Sequence, residues 1–285
     1  MTPRTWQLAH GRSLRLAGEG ILMGILNVTP DSFSDGGRFS GFSAAVEQAW
    51  RMVEAGAAIV DIGGESTRPG AEAVSAAQEQ DRVLPVIEAL AGADGPVLSV
   101  DTYREETARL AVAAGAHIVN DVWGLQREPD IARLAAETGA GLVIMHTGRG
   151  RERLSDVIAD QRLFLEKSLE TARAAGVARE QIMLDPGFGF AKDPHENFAL
   201  MARFGELHAL GYPLLAGTSR KRFIGHATGR DADERDAGTA ATTAILRMKG
   251  AAVIRVHDVA INRDAMRIAD AMMAEDPGTR KKSQP

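Results

Sequence analysis

An α/β fold, a single (β/α)8 TIM barrel with a short N-terminal hairpin capping the barrel floor, is predicted by three observations. Eight short apolar runs recur along the chain at a near-constant interval. Each is followed by Gly, Pro, Asp, Asn or Thr and then by a stretch with helical periodicity, the signature of repeated βα units. No linker or shift in composition divides the 285 residues, so one closed parallel sheet fits better than two doubly wound ones.

The elements follow in order. Thr5 to Leu8 and Ser13 to Leu16 flank His10-Gly11-Arg12 and predict the hairpin within residues 1–19. The strands are Ile21 to Val28, Ile59 to Ile62, Val97 to Val100, Ile118 and Val119, Leu142 to Met145, Ile182 to Leu184, Leu214 and Leu215, and Val253 to Val256. They show no two-residue alternation, as expected of strands buried on both faces. Helices are predicted at Ser43 to Ala55, Ala76 to Leu90, Arg104 to Ala113, Ile131 to Glu137, Asp156 to Ala175, His195 to Ala209, Arg235 to Lys249 and Asn262 to Ala274. Residues 20–275 form the barrel, and the polar, Pro-bounded tail 276–285 is expected to be disordered.

Composition narrows the function. Hydrophobic residues at 45% and charged residues at 25% exclude a largely disordered or fibrous chain. A net charge of −5 argues against a nucleic-acid footprint, so an anionic substrate must be met by local cations. Without Cys there is no disulfide framework, thiolate zinc site, iron–sulfur cluster or Cys nucleophile. No apolar run approaches the roughly 18 residues of a membrane span, and the N-terminus lacks a signal-peptide core, so a cytoplasmic protein is expected.

In a parallel barrel, chemistry gathers where the strands end. At or just after successive strand ends stand Asn27, Asp61, Asp101, Asn120, His146, Asp185, Ser219 with Arg220 and Lys221, and Arg255 with His257. Any one of them alone is an ordinary helix cap or Asx turn. Their common register points instead to a site. Two long polar loops, Asn27 to Gly37 and Gly63 to Gly70, are placed to cover it. Carboxylates and a carboxamide in the first are hard oxygen donors of the kind Mg²⁺ accepts. Asp101, Asn120 and Asp185 offer what is needed to read the edge of a flat nitrogen heterocycle. Leu184 to Phe190 sets a carboxylate before two aromatics on Gly hinges. Thr218-Ser219-Arg220-Lys221 opens the next helix, a ready anion site. Arg255 and His257, two apart, should point to the same side and, with that segment, could neutralise a diphosphate. No Ser–His–Asp order or close His pair supports a hydrolase triad or a zinc site.

The strings MGILNVTPDSFSDGG, VDIGGESTRPG, SVDT, IVND, LDPGFGF, TSRK and RVHD, in this order between about Gly20 and Asp270, resemble the dihydropteroate synthase family. The resemblance implies a folate-synthesis enzyme that joins 6-hydroxymethyl-7,8-dihydropterin diphosphate to 4-aminobenzoate, with Mg²⁺ as cofactor and sulfonamides as competitors of the arylamine. It implies Asn27 as the Mg²⁺ ligand, and Asp101, Asn120, Asp185 and Lys221 as the pterin pocket. Arg255 and His257, with Asn27, would meet the diphosphate. Thr67 and Arg68 fall in the second loop, and Phe33, Pro69, Phe190 and Ser219 resemble the arylamine pocket. Asp101, Lys221, Arg255 and His257 are the implied catalytic set, and a homodimer through the later helices is the implied assembly. Two places depart from the family pattern: Thr147 to Arg153 replaces a Met- and Gln-rich loop, and Ala191 replaces a commoner Gly, a change expected to stiffen its turn. A non-catalytic pterin-binding paralogue and a methyltetrahydrofolate-dependent methyltransferase barrel are the alternatives. The first is opposed by intact Asn27, Thr67, Arg68 and Lys221; the second has no use for Arg255 with His257 and would bring a corrinoid-binding domain.

Overall fold

The computed structural model describes residues 4–29, 37–65 and 74–275. A two-stranded antiparallel hairpin, β1 (Arg4–Gln7) and β2 (Ser13–Leu16), precedes eight parallel strands: β3 (Ile21–Asn27), β4 (Ile59–Gly63), β5 (Val97–Asp101), β6 (Ile118–Asp121), β7 (Gly141–Met145), β8 (Ile182–Asp185), β9 (Leu215–Ala216) and β10 (Val253–Val256). Neighbours run β8-β7-β6-β5-β4-β3-β10-β9. A bridge between Leu184 and Leu214, with Leu184 N–H donating to Pro213 at 3.0 Å, joins the two ends of this order into a barrel.

Helices α1 (Gly37–Ala55), α2 (Ala76–Leu90), α3 (Glu105–Ala113), α4 (Asp130–Thr138), α5 (Val157–Ala174), α6 (Pro194–Ala202), α7 (Arg222–Thr228), α8 (Asp236–Met248) and α9 (Val259–Glu275) surround it. Their starts are written locally. Ser75 and Gln78 close a capping box on α2, Asp193 and Glu196 another on α6 with Pro194 in its first turn, and Asp156 accepts the N–H groups of Ile158 and Ala159. Two helical expectations change. The stretch His195 to Ala209 splits into α6 and a 3-10 segment, Phe204–Leu210, with the weak helix former Gly205 near the join. The segment opening at Thr218 forms an additional one, α7, ahead of α8.

The strands obey period two, and this sorts their side chains into layers. Met23, Ile59, Val97, Ile118, Val143, Met183, Leu215 and Val253, one from each barrel strand, form an apolar ring with Trp6, Leu8 and Leu16 of the hairpin. The Trp6 indole is buried and donates to Gln181 O at 2.8 Å, so the hairpin seals the floor as predicted. Intervening residues such as Leu22, Val60, Ile62, Leu98, Ile144 and Ile254 face the helices in a separate core. Two residues above the floor ring, the inward positions are Ile25, Asp61, Ser99, Asn120, Met145, Asp185, Gly217 and Arg255. Alternation is therefore present, but only in the upper half of each strand; below it both faces are apolar, which hides the period in the sequence.

Candidate active site

Arg255 organises the inward polar layer. Its Nε donates to Asp61 Oδ2 at 2.6 Å and its terminal nitrogen to Asp101 Oδ2 at 2.7 Å, linking β10 to β4 and β5 across the barrel. Asn120 also donates to Asp61 Oδ2, at 3.1 Å. Asp61 is fully buried, and its other carboxylate oxygen, like the hydroxyl of its register partner Ser99, has no hydrogen-bond partner among the described residues. Buried polar atoms left open at the bottom of a mouth are sockets for a polar ligand or water.

The layer is charged and desolvated. Burial opposes the Arg255 charge, but the two aspartates outweigh it and hold the guanidinium above its ordinary pKa. Burial pushes the Asp101 carboxyl up to about 7, against Arg255 and with help from Asp61. Asp185 is likewise raised by burial, opposed by Lys221, while one oxygen accepts Gly187 N–H at 2.7 Å. Lys221 is lowered to about 8 by burial, with Asp185 opposing; its ammonium bonds to Phe188 O and lies 4.6 Å from the Phe190 ring centre.

The turn after β8 sends its two aromatics opposite ways. Phe188 is buried against Phe204 and Phe223, whereas Phe190 joins Tyr103, Val122, Trp123 and Met145 in an apolar wall at the mouth. Gly187 and Gly189 are not loose hinges. Both have left-handed φ, +63° and +78°, and a Cβ on Gly187 would lie 1.9 Å from His146 O. Ala191 stands at φ 52° in the same turn, a conformation that Gly takes without strain. Ser219 bonds to His257 twice, its Oγ accepting the backbone N–H at 3.1 Å and lying 2.9 Å from Nδ1. Thus Arg255 reaches the barrel centre while His257 turns to the end of β9. Asn27 ends β3 half-buried, beside the loop after β4.

Phe33, Thr67, Arg68 and Pro69 lie outside the described residues, as does the tail 276–285. The flanks of the second loop are held: Arg104 bonds to Glu65 at 2.6 Å and to Val74 O at 2.7 Å. Among the described residues no group of three His, Cys, Asp or Glu is placed to hold a metal ion, so a cation here would take one carboxamide oxygen from Asn27 and most of its shell elsewhere. Sequence reasoning placed Asp61 in the strand-end register without giving it a particular part, and it singled out neither Met145 nor Lys192. Counting by twos from Val143 would have found Met145; Lys192 belongs to a loop, where no period applies.

A barrel mouth with paired carboxylates, a carboxamide, two cations and an aromatic wall defines a class, an enzyme for a flat polar heterocycle with an anionic group. The model of the family described as pterin binding enzyme matches residues 23–257. The chain is 47% identical over 253 residues to the dihydropteroate synthase of Bacillus subtilis, covering 89% of this chain and 88% of the relative. It is 44% identical over 272 residues to that of Escherichia coli K12, with 93% and 96% covered. The chain belongs to the dihydropteroate synthase family. Among solved structures, a Xanthomonas albilineans dihydropteroate synthase with 4-aminobenzoic acid superposes with a TM-score of 0.89 at 44% identity, covering 95% of this chain and 99% of that one. A Clostridium difficile dihydropteroate synthase in the presence of pteroic acid gives 0.86 at 43%, covering 89% and 97%.

Proposed function

We infer that this barrel mouth joins 6-hydroxymethyl-7,8-dihydropterin diphosphate to 4-aminobenzoate, forming dihydropteroate and releasing diphosphate, the dihydropteroate synthase reaction. The observation that carries the reading is the Arg255 bridge between Asp61 and Asp101, ringed by Asn120, Asp185 and Lys221. Asp101, Asn120, Asp185 and Lys221 would read the donors and acceptors of the pterin edge. His257, Ser219 and Asn27 stand higher, toward the diphosphate and the arylamine, and Phe190 offers an apolar face to the latter.

The residues favour loss of diphosphate before amine attack. An arylamine is already a neutral nucleophile at pH 7, so the barrier lies in the leaving group and the electrophile. The Asp101 carboxylate faces the ring over which positive charge would spread, and the Arg255 guanidinium, with the His257 imidazole as a hydrogen-bond donor, can offset charge on the departing oxygens. Mg²⁺ fits beside Asn27, since a neutral carboxamide leaves room for water and phosphate oxygens; when bound it would supply charge neutralisation of the diphosphate.

A coupled assay of diphosphate release tests the reading. Turnover should require both substrates and stop in excess EDTA, recovering with Mg²⁺. Pterin binding without any turnover would favour the non-catalytic alternative, and full activity in EDTA would remove the metal. An ¹⁸O label at the bridging position should scramble without amine; its absence, with rates rising steeply with aniline nucleophilicity, would make the reaction associative.

The homodimer is supported by a band of exposed apolar side chains on the last two helices, Ile245 and Met248 of α8 with Ile261, Ile268 and Met272 of α9; Ile268 is 73% exposed. Ile268→Glu should shift sedimentation from dimer to monomer; a wild-type monomer would overturn the assembly. No helix among the described residues is long and apolar enough to cross a membrane, which fits a cytoplasmic setting.

A further inference from the structure

We propose that Lys192 is a positioning residue for the pterin pocket, its ammonium pinning the Asp185–Phe190 turn to His146, with Arg151 and Asp160 setting the imidazole that receives it. The inference rests on the pterin reading above and extends it to the loop after β7, where the chain departs from the family pattern.

The ammonium faces three acceptors: His146 Nδ1 at 2.9 Å, Gly187 O at 2.8 Å and Phe190 O at 3.4 Å. Three N–H donors meet three acceptors, so the charged form is the matched one. Two of the acceptors are carbonyls of the turn that carries Asp185 and Phe190. The third is fixed from behind. His146 is buried, and its Nε2 lies 2.9 Å from Asp160 Oδ2. A carboxylate there selects the Nε2–H tautomer and leaves the Nδ1 lone pair for Lys192. Burial also lowers the imidazole to about 4, partly offset by Asp160, so it is neutral and able to accept. Asp160 is itself held by Arg151, which reaches both of its oxygens, and by Leu154 N–H at 2.9 Å. The 2.8 Å approach of Arg151 to Nε2 follows from sharing one carboxylate oxygen with the ring.

The turn has no slack that would make the clamp redundant, because Gly187 packs directly on the His146 carbonyl. The charged and titratable groups facing Lys192 are Lys221 and Asp185 on the site side, His146 and Asp160 behind, and Glu196 from α6. Burial, reinforced by Lys221, lowers the amine to about 7. As pH rises through that value the third donor is lost, and the turn should hold the pterin less well.

Calorimetry with 6-hydroxymethyl-7,8-dihydropterin diphosphate and Mg²⁺ tests this. Lys192→Met keeps the stem and removes the donors. Its Kd should exceed that of the wild type by about 10-fold or more at about pH 6, the scale of one lost charged hydrogen bond. The ratio should shrink several-fold by about pH 9, where the wild-type amine is neutral too. Titration of Asp101, which is not among the groups facing Lys192, is common to both proteins and cancels in the ratio. A ratio near one, or one that does not vary with pH, overturns the inference alone; a wild-type chain that fails to bind the pterin diphosphate overturns the functional reading with it. Should the variant not fold, ¹⁵N NMR of wild-type His146 decides: protonation at Nε2 is expected, and protonation at Nδ1 rejects the clamp.

Discussion

The floor and the mouth of this barrel are built by the same strands, two residues apart, and differ in almost everything else. The floor is an apolar ring under the Trp6 hairpin, and even its histidine is neutral: His117 accepts Leu98 N–H at 3.1 Å and is lowered to about 4, mainly by burial. The mouth buries Asp61 completely, covers most of Asp101 and Arg255, and keeps the three bonded to one another. Burial at the floor stabilises the fold through area removed from water. At the mouth it opposes folding unless every charge is matched, and it sharpens electrostatics for a ligand.

Arg255→Met strikes the contrast hardest. Two buried carboxylates would lose their shared cation, at about 3 to 5 kcal/mol of stability, and turnover should vanish. Urea unfolding and the diphosphate assay read the two effects; wild-type stability would mean that the bridge contributes nothing to the fold. Trp6→Ala should cost a similar 3 to 5 kcal/mol, about the usual range for a buried aromatic, yet leave pterin affinity unchanged in the folded protein. A large change in Kd would show that floor and mouth are not independent.

Lys221→Ala and Asp185→Asn should each weaken pterin binding by about 1.5 to 3 kcal/mol, without adding, because the two groups face each other. Wild-type affinity in either would remove that residue from the pocket. Acidity offers a gentler break. Asp101 has a folded pKa of about 7 against an ordinary 3.8, so the native state holds the extra proton between these values. Its contribution to stability is full below about 4 and is lost as pH rises through 7, whereas activity that needs the carboxylate should rise over the same step. Turnover that is flat from pH 5 to 8, about the span of that step, would contradict the role of Asp101. The smallest effect is at Ala191, where a glycine should relieve the left-handed strain and raise stability by about 1 kcal/mol. A destabilised Ala191→Gly would mean that the methyl group packs usefully.

Much of the barrel was legible in the sequence. The predicted α2, Ala76 to Leu90, matches the observed helix end to end, since Ser75 and Gln78 announce its start and an apolar stripe its extent. Strand ends were harder: β8 runs on to Asp185 and β6 through Asn120 to Asp121, because Asp185 and Asn120 point into the mouth rather than out of the fold. Asp121 shows the opposite case. It too is a polar residue at a strand end, but its carboxylate accepts Trp123 and Leu125 N–H groups in an Asx turn. Local sequence cannot separate it from Asn120, one position away on the other face of the strand.

The sequence by itself determined the order of βα units, the apolar floor and the polar residue at nearly every strand end, since each depends on neighbours a few positions away and on the strand period. Only the tertiary structure decided which of those residues meet. Arg255 finds Asp61 and Asp101 across separations of 194 and 154 residues, and Lys192 finds His146 across 46. The last strand lies beside the first because the sheet closes, and closure is a property of the whole ring that no stretch of chain carries alone.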